Sequence, residues 1–471
     1  MHRFRLGSIL TASALLAVVA CGGGGGGGGT KGTIKIGVEL PESGAEASNG
    51  IPTLNGVKFA VQQQGSINGF KLEVANKDDA PAGKHDPQVG ANNVRALVAD
   101  SAVLGIIGPF NSSVAKAEIP IANQADLTMI SPANTAICLT KDLPEVCGLS
   151  GAFHPADIRP KGTNNYFRVA ATDDHQGGAL ADYAYDSLNL RSVGVIDDLE
   201  VYGQGVARTF SAEFCKKGGT VVGGCPPPYP GGIQESDTSS ESSFGATLNR
   251  LKSGGATGVY FGGTDSTKGC VIRNQMKGIF TAASAPYLGG DGIVTAQCIN
   301  DAGDQSANML GTVASADPNN TPEAKSTVDA FKQSFKNSND FGAYTIPAYT
   351  GAKLLIAAIG RAINNNGGNK PTRKQVLDEV AKTSNASTPL GTISFDKNGD
   401  NSNQIIAIYK TANTNANSVS CGTKNTSICW VFVKQVSYSS TGGTTSSSSS
   451  GTSSGGSSSS SSTTTSSSSS T

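Results

Sequence analysis

Asn111-Ser112-Ser113 follows directly on a short apolar run, Ala102 to Ile107, and a Gly108-Pro109 break. The run suits a strand buried on both faces, and the pattern after the break suits a helix. A helix start leaves backbone amides without intrahelical partners, and its dipole favours negative charge there. The hydroxyl of Ser112 or Ser113 adds a donor, so the junction is suited to hold a carboxylate. A second apolar run, Leu127 to Ile130, ends at Ser131-Pro132 and brings Ala133 and Thr135 to the same edge. In an open parallel sheet, ligands sit beyond the carboxyl ends of the strands, so two such adjacent ends make half of a binding site. Asn-Ser-Ser before a helix is also the ordinary signature of a cap, and the local residues taken alone favour that role.

Other chemistry finds less support. The sequence has 36 basic and 36 acidic residues, scattered rather than blocked, which argues against a nucleic-acid surface. No GxGxxG follows the first strand, and there is no P-loop and no GxSxG elbow. Asp78-Asp79 reads as a cap or turn at a strand end rather than an acid/base pair. Nothing therefore indicates an enzyme, and no cofactor is expected. Of the nine cysteines, Cys21 stands apart and the other eight fall as neighbours: Cys138 with Cys147, Cys215 with Cys225, Cys270 with Cys298, Cys421 with Cys429. In an exported chain the simplest pairing of these is four local disulfides. Zinc is the rival use of cysteine, but no CxxC occurs and His2, His85, His154 and His175 do not cluster with the cysteines, so no metal is expected.

The elements that must position these groups alternate. Residues 1–20 read as an export signal, with His2, Arg3 and Arg5 before the apolar run Ile9 to Ala20. Val18-Val19-Ala20-Cys21 resembles a bacterial lipobox, in which the cysteine becomes the lipidated first residue. The run Gly22 to Gly29 then fits a flexible tether. Elsewhere no segment is expected to cross a membrane. Strands are predicted at Thr33 to Leu40 and Lys71 to Asn76, helices at Leu54 to Gln64 and Asp86 to Ala99. Residues 136–165 read as a long loop clipped by a disulfide. A second alternating series starts at Ser192, with a helix from Gly205 to Lys217, so the chain is predicted to be α/β with two lobes. After Val436 it is almost wholly Ser, Thr and Gly, and residues 436–471 are expected to be a disordered tail.

Taken together, these landmarks resemble the leucine/isoleucine/valine-binding protein family, the type I periplasmic solute-binding proteins of ABC importers. The carriers, in order, include IKIGVELPESG, LNGVKFAV, KDDAPAGKHDPQVGANNVRALV, GIIGPFNSSVA, LTMISPANTA, YFRVAATDDHQGGALADY, VGVIDDLEVYGQGVA, YLGGDG and LGTISFDKNGD. The resemblance spans roughly residues 33 to 410. It implies two lobes, each a parallel β-sheet with helices on both faces, joined by a three-segment hinge that closes on a solute. One lobe would take residues 33–171 plus 317–395 and the other 172–316 plus 396–435, after a tether of residues 21–32. The implied protein is a lipid-anchored monomer outside the cytoplasm that delivers an amino acid to membrane permease subunits. A sensory module feeding a receptor is the alternative.

The resemblance also assigns residues. Ser112, Ala133 and Thr135 would hold the ligand α-carboxylate by backbone amides and hydroxyls. Tyr202 would face the cleft, Asp291 would meet the α-ammonium, and Tyr344 would wall the side-chain pocket. Polar Asn49 and Thr264 stand where the family has aromatics, which implies a more polar or roomier pocket. Asn111 occupies one position of a family disulfide. Branched-chain or polar amino acids, amides, urea and aromatic acids are all ligands of relatives, and selectivity is assigned to Asn49, Thr264 and Tyr344.

Overall fold

The computed structural model describes residues 31–147, 153–225, 233–424, 427–439 and 444–447. The expected export signal of residues 1–20, Cys21, the run Gly22 to Gly29 and most of the Ser/Thr/Gly tail lie outside the described residues.

The first sheet grows around Thr33–Leu40, in which Ile34, Ile36, Val38 and Leu40 are fully buried. Its spatial order is 66–67, 70–78, 33–40, 103–107, 128–131 and 166–168, parallel throughout except for the first pair. That pair is a hairpin turned by Asn68-Gly69, both at positive φ, as a two-residue turn demands. Helix Thr345–Asn365 packs on helix Ala47–Gln64 and on the strands 103–107 and 128–131. It is long and apolar enough by length and composition to cross a membrane, although no segment of that length is expected from the sequence. Its apolar girth has another cause: sheet on one side and helix on the other bury most of it.

The second sheet runs 418–421, 429–439, 403–412, 309–313, 287–289, 258–262, 192–197 and 220–221. From 192–197 to 309–313 the ladder is parallel, as expected, and 403–412, 429–439 and 418–421 extend it as an antiparallel edge. The last strands follow one another without a crossover helix, and such neighbours pair only antiparallel. Strand Cys429–Ser439 also runs past Val436, where the tail was expected to begin, and Thr444–Ser447 pairs with it. Ladder bonds are main-chain bonds and tolerate polar side chains; Tyr438 further anchors the strand by stacking on His175, centroids 4.4 Å apart.

Three segments cross between the sheets and are laced together. Ala171 N–H donates to Ala314 O at 2.8 Å, Arg168 N–H to Gly399 O at 3.0 Å, and Thr172 N–H to Gln404 Oε1 at 2.9 Å. The four disulfides join Cys138 to Cys147, Cys215 to Cys225, Cys270 to Cys298, and Cys421 to Cys429. Residues 136–165 are not wholly loop: short 3-10 turns at Ile137–Leu139 and Pro155–Ile158 and a helical turn at Pro144–Cys147 punctuate them.

Candidate functional site

A cavity lies between the two sheets, where the carboxyl ends of their strands face each other. One wall is built from the first sheet. Strand Val103–Ile107 ends at Gly108, and helix Ser112–Gln124 starts with Ser112 and Ser113 in the cavity wall. Asn111 occupies the cap position, yet its side chain makes no cap hydrogen bond. The capping role favoured by local sequence is therefore not used, and no side chain of the cap satisfies the amides at this helix start. Next to it, strand Thr128–Ser131 delivers Ala133 and Thr135 to the same wall. Ser131 Oγ donates to Pro109 O at 2.7 Å and accepts from Ala133 N–H at 3.2 Å and Asn134 N–H at 2.9 Å. The Ala133 amide is thus already engaged by Ser131, while Ser112, Ser113 and Thr135 line the same wall.

The opposite wall comes from the second sheet. Strand Tyr287–Gly289 ends two residues before Asp291, whose carboxylate is buried. Tyr202 Oη donates to Asp291 Oδ1 at 2.7 Å, Gln176 Nε2 to Oδ1 at 2.7 Å, and Tyr344 Oη to Oδ2 at 2.6 Å. All three donors are neutral. Burial pushes the Asp291 carboxyl above the ordinary aspartate range, while hydrogen bonds from Tyr344, Gln176 and Tyr202 pull part of the way back. A cation placed against this group would recover the cost of its burial. Tyr202 lies in the first turn of helix Val201–Lys216, which begins four residues earlier than predicted, and it is buried rather than an exposed loop aromatic.

Gly290 is required here by close approach: a Cβ would stand 2.0 Å from Tyr202 Oη. Gly290→Ala is expected to displace Tyr202 from Asp291. It should weaken a solute held at that carboxylate by about 1.5–3 kcal/mol, the worth of a hydrogen bond to a charged group, as read by calorimetry.

A charged array closes the far end of the cavity. His85 Nδ1 lies 2.5 Å from Glu46 Oε1, Ser266 Oγ donates to Glu46 from the opposite lobe, and Lys84 Nζ pairs with Glu200 Oε1 at 3.0 Å. Burial works against the charge on His85, but Glu46 and Glu200 hold its pKa up to about 10. Burial likewise opposes ionisation of Glu200, yet His85 and Lys84 bring it down to about 2. Asp198, buried and bonded by Thr267 Oγ1 at 2.8 Å, is pushed up to about 6 chiefly by burial.

Of the residues assigned from sequence, Ser112, Ala133, Thr135, Tyr202, Thr264 and Asp291 line one cavity. Two do not. Asn49 sits in the first turn of helix Ala47–Gln64, its carbonyl accepting from Thr53 Oγ1, because that helix begins seven residues before the predicted start. Tyr344 stands behind the wall: its hydroxyl is spent on Asp291, and its ring meets Phe110 edge-on at 5.3 Å, so on this side Phe110 rather than Tyr344 lines the cavity. Sequence reasoning passed over Phe110, Asn111, His85, Asp198 and Glu200 as lining residues, and Glu46 and Gln176 behind them. Among the described residues, no group of three or more His, Cys, Asp or Glu has the arrangement of a metal site.

Comparison with known proteins finds that residues 33–416 match the family model described as periplasmic binding protein. A protein of Pseudomonas aeruginosa named as an amino acid binding protein is 28% identical over 371 residues, covering 78% of this chain and 87% of its own length. Among solved structures, a leucine binding protein from Thermotoga maritima superposes with a TM-score of 0.66 at 24% identity, covering 81% of this chain and 96% of that one. An ABC-transporter solute binding protein from R. palustris in complex with 4-hydroxybenzoate gives 0.67 at 17% identity, covering 86% and 96%. At these identities the two structures bear on the fold alone.

Proposed function

As a member of the periplasmic binding protein family, this chain is a binding protein rather than an enzyme, and we propose that it captures an amino acid outside the cytoplasm for an ABC importer. The ligand α-carboxylate lies on the uncapped helix start at Ser112 and Ser113, with Thr135 beside it. The α-ammonium faces Asp291. The observation that carries this reading is Asp291 itself: a buried carboxylate with three neutral donors and no cation among them, across a closed cleft from an anion-favouring helix start. Opposite charges separated by a cavity are the complement of a zwitterion. A relative whose name states amino-acid binding supports the same ligand class. The laced crossovers act as a hinge, and ligand selects the closed form because it touches both lobes.

The test is calorimetry on the ligand-stripped protein with amino acids, their 2-hydroxy acid analogues and hydroxybenzoates. Amino acids are expected to bind and the analogues lacking an ammonium to bind far more weakly. Tighter binding of an aromatic acid than of every amino acid would transfer the site to the hydroxybenzoate type of ligand. We propose further that Cys21 is lipidated and ties the protein to the membrane through the Gly22 to Gly29 tether. Two or more acyl chains hold such an anchor stably. Cys21→Ser is expected to move the protein from the membrane fraction to the soluble one.

A further inference from the structure

Two polar atoms at the far end of the cavity remain without hydrogen-bond partners inside the protein: His85 Nε2 and Asn111 Oδ1. Both side chains are more than nine-tenths buried and both line the cavity. Their chemistry is fixed by what surrounds them. His85 is held as an imidazolium by Glu46, so Nε2 carries a proton and can only donate. Its nearest carboxylate oxygen, Glu200 Oε2, is 3.8 Å away, beyond hydrogen-bond reach. Asn111 Oδ1 is an amide oxygen, buried and unpartnered, and can only accept. Because Asn111 does not cap its helix, that oxygen has no use in the local fold.

We propose that the cavity selects an amino acid whose side chain is neutral and carries both an acceptor for His85 and a donor for Asn111, a primary carboxamide, over one with an apolar branched side chain. The proposal rests on the ligand placement given under Proposed function, which directs the side chain away from Asp291 toward this end. Charge argues for neutrality. Lys84 and His85 already balance Glu46 and Glu200, so a side-chain carboxylate would meet Glu46, Glu200 and Asp198 uncompensated, and an ammonium would meet His85 and Lys84. An apolar side chain would seal His85 Nε2 and Asn111 Oδ1 from water with nothing to bond, the situation in which discrimination against the analogue is strongest.

Asparagine and leucine have side chains of nearly the same shape, as have glutamine and methionine, and calorimetry on the full ligand-stripped chain with these four, lysine and glutamate decides the matter. At least one amide is expected to bind roughly 10- to 100-fold tighter than its apolar counterpart, the range for a stranded buried donor or acceptor. Asn111→Ala and His85→Leu should narrow that gap while binding still depends on Asp291. Should leucine or methionine bind as tightly as its amide partner, or lysine or glutamate more tightly than either amide, the carboxamide assignment is overturned and the amino-acid reading stands. Should no α-amino acid bind at all, both are overturned.

Discussion

Asp291→Ala is expected to cost the ligand about 2–5 kcal/mol, a loss of roughly 30- to several thousand-fold in affinity, because it removes one member of a desolvated charge pair. The carboxylate sits at the end of strand Tyr287–Gly289 and is clamped by Tyr202, Gln176 and Tyr344, so the ligand ammonium meets a group that needs no reorganisation. Its titration provides a second reading of the same contact. Burial raises the pKa of Asp291 in the free protein, against the pull of its three donors. An ammonium ligand binds the anion and lowers that pKa. Affinity is therefore full above the raised value and falls as pH drops through it, at a higher pH than an ordinary aspartate of about 3.9 would give. The stability of the ligand-free protein has the opposite sign: the unfolded chain ionises more readily, so this residue costs stability as pH rises from the ordinary range through the raised one. Asp291→Asn keeps the shape and is expected to erase both slopes. Amino-acid binding to Asp291→Ala at unchanged strength would remove the residue from the site.

How much of this was legible in the sequence depends on whether a feature is local. Strand ends carrying Ser112, Thr135 and Asp291 were legible because a short apolar run followed by small polar residues has one meaning in an α/β chain. Helix starts were misread where glycine interrupts them. Gly50 lies inside helix Ala47–Gln64 because a Cβ there would stand 1.8 Å from Pro41 O; Gly203 lies inside helix Val201–Lys216 because one would stand 2.1 Å from Asp198 Oδ1. These glycines mark close packing of helix on loop rather than a turn, and a linear pattern does not distinguish the two. The array of Glu46, His85, Glu200 and Ser266 was not legible at all. Its members come from both lobes and from distant points of the chain, and each alone reads as an exposed polar residue.

The largest effect on stability is expected at the hinge, where Asp400→Ala should cost about 3–5 kcal/mol by leaving a buried guanidinium unpaired. Arg168, at the end of the last strand of the first sheet, is fully buried and remains charged. Its Nε donates to Asp400 Oδ1 at 2.6 Å, Nη1 to Ala136 O at 2.8 Å and Asn134 O at 3.3 Å, and Nη2 to Thr140 Oγ1. Asp400 stands on the crossover returning to the second sheet, and Thr140 Oγ1 donates to its Oδ2 at 3.0 Å. One ion pair thus ties a crossover to the loop that carries Asn134 and Thr135 into the cleft. Because each charge was desolvated to form the pair, removing both should cost far less than removing one. Arg168→Met with Asp400→Leu is therefore expected to recover much of the stability lost in Asp400→Ala, as measured by denaturant unfolding of the ligand-free protein. The double variant should still bind more weakly than the parent, since the Ala136 and Asn134 carbonyls would lose the donor that fixes their loop. A neutral Asp400→Ala would mean that water reaches the guanidinium, and that the hinge is held by its backbone lacing alone.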